Sequence, residues 1–181
     1  MSVHIYLADG FEEIEALTAV DVLRRAGLDA KTVSVMDEKI VEGAHGVRVE
    51  ADLMFSESSA AGCQMIVLPG GMPGAANLQN HKELERRILS FAEKGKWLAA
   101  ICAAPMVYGE LGLLKNREAI CYPGMETHLK GAKISAENVA KDGNFVTGKG
   151  PGLAAEFALK LVEVLCGKEK ADAVAADMLL K

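Results

Sequence analysis

The chain is poor in aromatic residues, and no basic cluster interleaves with them. Aromatics make up 5% of its 181 residues, and the formal net charge is −5. No basic patch interleaves with aromatic residues, which argues against nucleic acid as a partner, except as a glycated substrate. No apolar run approaches the ~18 residues of a membrane span, so no membrane partner is expected. The N-terminus runs directly into the strand-like Val3-His4-Ile5-Tyr6-Leu7-Ala8, without the basic and apolar regions of an export signal. The four cysteines, Cys63, Cys102, Cys121 and Cys166, form no CxxC pair and no zinc spacing, so no metal is expected. They read as reduced thiols in a cytoplasmic chain. Neither an internal repeat nor a linker interrupts the sequence, which reads as one domain over residues 1–181.

What is present is a globular balance, 50% hydrophobic and 25% charged, arranged as alternating strands and helices. Strand patterns run over Val3–Ala8, Ala30–Met36, Gln64–Leu68 and Trp97–Ile101. Helix patterns run over Glu12–Ala26, Lys82–Lys94, Ala103–Leu114, Pro151–Cys166 and Lys168–Leu180. Ile40–Ala51 reads as a hairpin, Pro69–Gly74 as a turn, and Ala119–Thr147 as short strands and turns. This alternation predicts an α/β fold with a mostly parallel sheet covered on both faces. Ligands in such folds gather beyond the carboxyl ends of the strands. Asp9-Gly10, Gly70-Gly71 and Cys102 all fall there.

Cys102 is the focal residue. It stands where the apolar run Trp97–Ile101 passes into a helical pattern, flanked by Ala99, Ala100, Ala103 and Ala104. That is the setting of a nucleophile elbow with sulfur in place of oxygen. Backbone N–H groups and the dipole of a following helix would favour a thiolate. Gly70 and Gly71 could add N–H donors for an oxyanion, together with Ala103. Glu12 and Glu15 share a face at the start of the first helix, while Glu13 points away. One of the two would lean toward the thiol, partly desolvated, as acid or base; spacing leaves the choice open. Cys63, Cys121 and Cys166 read as core packing. None of the four histidines, His4, His45, His81 and His128, lies in a catalytic motif, so no Cys-His-Asp triad is legible.

Four segments in order carry a family resemblance: Asp9-Gly10-Phe11-Glu12-Glu13-Ile14-Glu15, Val67-Leu68-Pro69-Gly70-Gly71, Ala99-Ala100-Ile101-Cys102-Ala103-Ala104-Pro105, and Gly150-Pro151-Gly152 through Phe157-Ala158. Together they resemble the ThiJ/PfpI family, in particular its branch with the Parkinson-disease-linked protein deglycase. The resemblance implies a flavodoxin-like three-layer sandwich and a homodimer. It implies that Cys102 is the reactive, oxidisable thiol, that Glu15 is the family's glutamate, and that Gly71 and Ala103 are the oxyanion donors. It further implies a cofactor-free glyoxalase or deglycase activity on a small aldehyde or glycated substrate. Oxidative-stress sensing and chaperone roles come with the family, as does a weaker link to thiazole phosphate metabolism. Two departures stand out. Gly131–Ser135, where many relatives carry a histidine, has none, and His45 occupies a substrate-pocket position often held by arginine. Ala103 directly after the nucleophile, in place of histidine, argues against protease activity.

Overall fold

The computed structural model describes residues 1–180. Its core is a seven-stranded sheet in the order β10-β11-β7-β6-β1-β2-β5. The strands are β1 (Ser2–Leu7), β2 (Asp29–Ser34), β5 (Leu53–Met54), β6 (Cys63–Leu68), β7 (Trp97–Ile101), β10 (Val139–Asp142) and β11 (Phe145–Gly148). Every pairing is parallel except β10 with β11 at one edge. β3 (Ile40–Glu42) and β4 (Arg48–Glu50) form a separate antiparallel hairpin, and β8 (Glu118–Ala119) pairs with β9 (Lys133–Ile134).

Helices cover both faces. α1 (Glu13–Arg25) packs on α5 (Ala154–Cys166), which packs on α6 (Lys168–Asp177). On the other face α2 (Gly74–Asn80) packs against α3 (Lys82–Glu93) and α4 (Pro105–Glu110). This is the expected mostly parallel, three-layer sandwich. The central strands are buried on both faces, as their unbroken apolar runs require: Ile5, Leu7, Met65, Ile66 and Leu68 are fully enclosed. Burying each such side chain stabilises the fold by about 1.5–3 kcal/mol.

Three local readings change. α2 was hidden in the sequence because two turns of helix are too short to show a period; Ala75 and Leu78 supply its buried face. The helix expected from Ala103 to Leu114 is only Pro105–Glu110. Its start is delayed by the Cys102–Ala104 turn, and it stops before Gly112, whose φ of 72° is left-handed. Cys166 was expected in the core but is exposed, because it ends α5 beyond the last covered turn. Cys63 and Cys121 are buried as expected, and all four thiols are free. Among the described residues, no helix is long and apolar enough to cross a membrane.

Candidate active site around Cys102

β7 ends at Ile101, and the chain must turn at once to enter α4. Cys102 makes that turn with φ 63°, a left-handed conformation for a residue with a side chain. Such a backbone costs roughly 1–2 kcal/mol and persists only where its surroundings hold it. The Cys102 N–H donates to the Gly148 carbonyl at 2.9 Å, and its carbonyl accepts from the Tyr122 N–H at 2.8 Å. The elbow is therefore pinned from β11 and from the Tyr122 segment. Sequence reasoning missed both anchors, since they come from stretches with weak periodicity.

Glu12 and Glu15 separate cleanly. Glu12 caps α1: its Oε2 accepts from the Glu15 N–H at 2.9 Å. Glu15, 1% exposed, is the carboxyl that meets the thiol. Its Oε2 accepts from the Gly70 N–H at 2.7 Å. Gly70 thus holds the carboxyl in place, which corrects the expectation that it is a free oxyanion donor. A Cβ on Gly70 would lie 2.7 Å from the Cys102 Cβ and 2.8 Å from Glu15 Oε2. Only glycine lets the two functional groups approach across it. Glu15 Oε1 is buried with no hydrogen-bond partner among the described residues. The N–H groups of Gly71 and Ala103 act on the sulfur and favour its charged form.

Burial dominates the electrostatics. It raises Glu15 from 4.5 to about 7, against the Gly70 N–H and the Cys102 contact, which pull the other way. Burial, together with the charge and hydrogen bond of an ionised Glu15, pushes Cys102 up to about 12, against the N–H groups of Gly71 and Ala103. Main-chain dipoles therefore do not by themselves ionise this sulfur, contrary to the sequence expectation. The six-residue α4 begins at Pro105, so two residues of turn separate the thiol from it. Two acids this close hold one negative charge between them, not two. Cys102 is 9% exposed, so the thiol is neither sealed in hydrocarbon nor open to bulk water.

The remaining candidates lie to the side. His45 is 71% exposed at its side chain, and its Nδ1 sits 2.9 Å from Glu13 Oε2. The hydrogen bond and charge of Glu13 raise its pKa. Burial pushes Glu13 up, but hydrogen bonds from the His45 ring and from nearby backbone N–H groups hold it below the usual range. Glu13 thus points away from the thiol, as expected, and fastens α1 to the β3–β4 hairpin. His45 neighbours Ala44 in a cleft of about 410 Å3 lined by Asp9, Gly10, Glu42, Gly43, Ala44, Met72 and Pro73. The ring engages Glu13 rather than Cys102. Glu12, Glu13 and His45 bring ligand-type atoms within 4.8 Å of one another, but helix capping and the hairpin already occupy both carboxylates. His4 is buried, His81 caps α3, and His128 bonds Glu110, so no histidine is among the groups that shift Cys102.

This chain belongs to the DJ-1/PfpI family, whose profile its residues 1–164 match. It is 39% identical over 179 residues to Protein DJ-1 homolog B of Arabidopsis thaliana, covering 98% of this chain and 41% of that protein. The chain thus spans less than half the length of that relative. It is 32% identical over 170 residues to the Caenorhabditis elegans protein named Glutathione-independent glyoxalase DJR-1.2, covering 93% of this chain and 90% of that one. The structure of oxidized Toxoplasma gondii DJ-1 superposes with a TM-score of 0.95 at 38% identity, over 98% of this chain and 97% of that chain. The flavodoxin-like fold and the family reading of the sequence stand on these matches.

Proposed function

We propose that the protein is a cofactor-free, cysteine-dependent enzyme that converts glyoxals, or their early adducts, to 2-hydroxy acids. One observation carries this reading: a strained Cys102 is held against a buried, otherwise unpartnered Glu15 oxygen, with the Gly71 and Ala103 N–H groups acting on the sulfur. Two donors serve the sulfur, while one serves the carboxyl. A buried carboxylate oxygen without a partner is costly, whereas a protonated one donates to its neighbour. We place the pair's single charge on sulfur and the proton on Glu15, against the order set by burial, which leaves Glu15 at about 7 the stronger acid and Cys102 at about 12.

The thiolate attacks the aldehyde carbon of a 2-oxoaldehyde, and the Gly71 and Ala103 N–H groups stabilise the oxyanion that forms. Glu15 protonates that oxygen to give a hemithioacetal. As carboxylate it then removes the proton from the former aldehyde carbon to give an enediol and delivers it to the adjacent carbon, while the hydroxyl proton of the first carbon passes to the oxygen of the second. The product is a 2-hydroxy thioester. Water cleaves the C–S bond, releasing the 2-hydroxy acid and the thiolate. The oxidation of one carbon balances the reduction of its neighbour, so no external electron acceptor is needed. The glyoxalase name of the Caenorhabditis relative supports this class. Deglycation would begin with the hemithioacetal or aminocarbinol expelling its thiol or amine to regenerate the aldehyde, which the same nucleophile then attacks. The test is a panel assay of the protein and Cys102→Ser with methylglyoxal, glyoxal and glycated thiols. Turnover by the parent alone is expected, and no conversion by either protein would refute the enzyme reading.

A second reading follows from the oxidised state of the Toxoplasma relative. A thiolate flanked by a carboxylic acid and two N–H donors also stabilises a sulfinate, which suits a redox sensor or chaperone. A mass gain at Cys102 under mild peroxide, with no turnover of glyoxals, would favour it. We also propose a homodimer: Ile14 and Leu17 on α1 and Val47 beside the hairpin are exposed apolar side chains near the Glu13–His45 junction.

A further inference from the structure

A wide groove lies away from Cys102 and shares no residue with its site. It measures about 540 Å3 and lies along α3, near the Phe55–Ala60 loop. Four cations, Arg86, Arg87, Lys94 and Lys96, line it against one carboxylate, Glu83. That is a concentrated positive field on a chain whose net charge is −5. The helix explains the grouping: positions 83, 86, 87, 90 and 94 recur at spacings of three and four and share one stripe of α3.

Arg87 is the built element. Its Nη1 donates to Tyr6 Oη at 2.8 Å and to Ser58 Oγ at 2.6 Å. The guanidinium lies 4.0 Å from the centre of the Phe55 ring. These contacts fix the plane of the group and leave Nε and Nη2 without a partner among the described residues. Two parallel N–H donors on a fixed guanidinium are the fork that binds two oxygens of an oxyanion. Lys96 is likewise held, its Nζ donating to the Cys63 carbonyl at 2.6 Å. Among the described residues, Arg86, Lys94 and the Ser90 hydroxyl make no side-chain hydrogen bond or ion pair, and they line the same space. Desolvation first, then the Arg87 charge, lowers the pKa of buried His4, consistent with a positive potential there.

We infer that this cavity is a binding site for a small phosphate monoester. A dianion matches the excess of cations better than a monocarboxylate does. The Arg87 fork supplies bidentate recognition, and Arg86 and Lys94 add positive charge along the same lining. The volume exceeds what inorganic phosphate fills, and Phe55, Phe91 and Ala60 give an apolar wall for the organic part. The site is independent of the Cys102 chemistry.

Calorimetric titration of the intact protein with phenyl phosphate tests the assignment, with benzoate and inorganic phosphate as competitors. Saturable binding of phenyl phosphate, tighter than either competitor and weakened at about 0.5 M salt, is expected. Arg87→Gln should abolish it. Because Arg87 also braces Tyr6 and Ser58, the Arg86→Gln/Lys94→Gln double variant provides a reading that does not disturb the fold. It should bind roughly tenfold more weakly, while its Cys102 alkylation rate stays at the parent value. No saturable binding of phenyl phosphate would overturn the assignment, as would equal affinity in the double variant or benzoate binding as tightly. Inorganic phosphate binding as tightly as phenyl phosphate would overturn the organic ligand.

Discussion

Replacing Glu15 by Gln discriminates between two placements of one proton. The amide is nearly isosteric and keeps an oxygen for the Gly70 N–H, 2.7 Å away in the parent. If the parent carries an ionised carboxylate, the charge that helps push Cys102 up to about 12 disappears. The thiol would then become more acidic in the variant. If the parent carries a carboxylic acid donating to a thiolate, the variant replaces a strong O–H donor with a weaker N–H one. Both bonds end on a charged sulfur and fall within about 1.5–3 kcal/mol, the amide donor toward the lower end. The loss of about 1 kcal/mol makes the thiol less acidic by somewhat under one pKa unit. The proposed function requires the second outcome. Iodoacetamide alkylation rate against pH, read with thiolate absorbance, measures it. In the parent the rate should rise with a midpoint near the value of about 7 to which burial raises Glu15, because there the pair gives up its first proton. Turnover of methylglyoxal should fall about 10²- to 10⁴-fold in the variant, since the amide cannot carry the proton. A Gln variant whose thiol is more acidic than the parent's, or whose turnover is intact, refutes the reasoning.

Stability should also report on this carboxyl. Glu15 is raised from 4.5 to about 7 on folding, so the native state keeps a proton that the unfolded chain releases. Its contribution, about 3 kcal/mol by the size of the shift, is full below pH about 4.5 and is lost as pH rises to about 7. Urea unfolding of the Gln variant should show that slope removed. Cys102→Gly should exceed Cys102→Ala in stability by about 1 kcal/mol, because glycine relieves the left-handed backbone at φ 63°; equal stabilities would show that the elbow is unstrained. Gly70→Ala should destabilise by about 1–3 kcal/mol and abolish fast Cys102 alkylation, since its Cβ would stand 2.7 Å from that of Cys102. Asp52→Ala should cost about 1–3 kcal/mol in thermal unfolding, because one carboxyl oxygen accepts from the Thr32 N–H at 2.8 Å and from Arg24 at 2.7 Å.

By itself the sequence determined the layered α/β fold, because continuous apolar runs such as Met65–Leu68 can be satisfied only in a sheet covered on both faces. It also marked Cys102, since a thiol between an apolar strand and a helical pattern has few other placements. Helix ends were legible where glycine takes a left-handed turn, as at Gly27 with φ 81°. Local spacing did not decide which glutamate meets the sulfur, because Glu12 and Glu15 share a helix face and differ only in what the sheet places opposite them. Tertiary structure chose: Glu12 turned to the end of its own helix, and Glu15 met a Gly70 amide 55 positions away. It also decided the charge of the site. Dipoles local to the chain favour a thiolate, but burial and a second acid act through space. Desolvation and contact between distant segments exist only once the layers close, and no local pattern of residues encodes them.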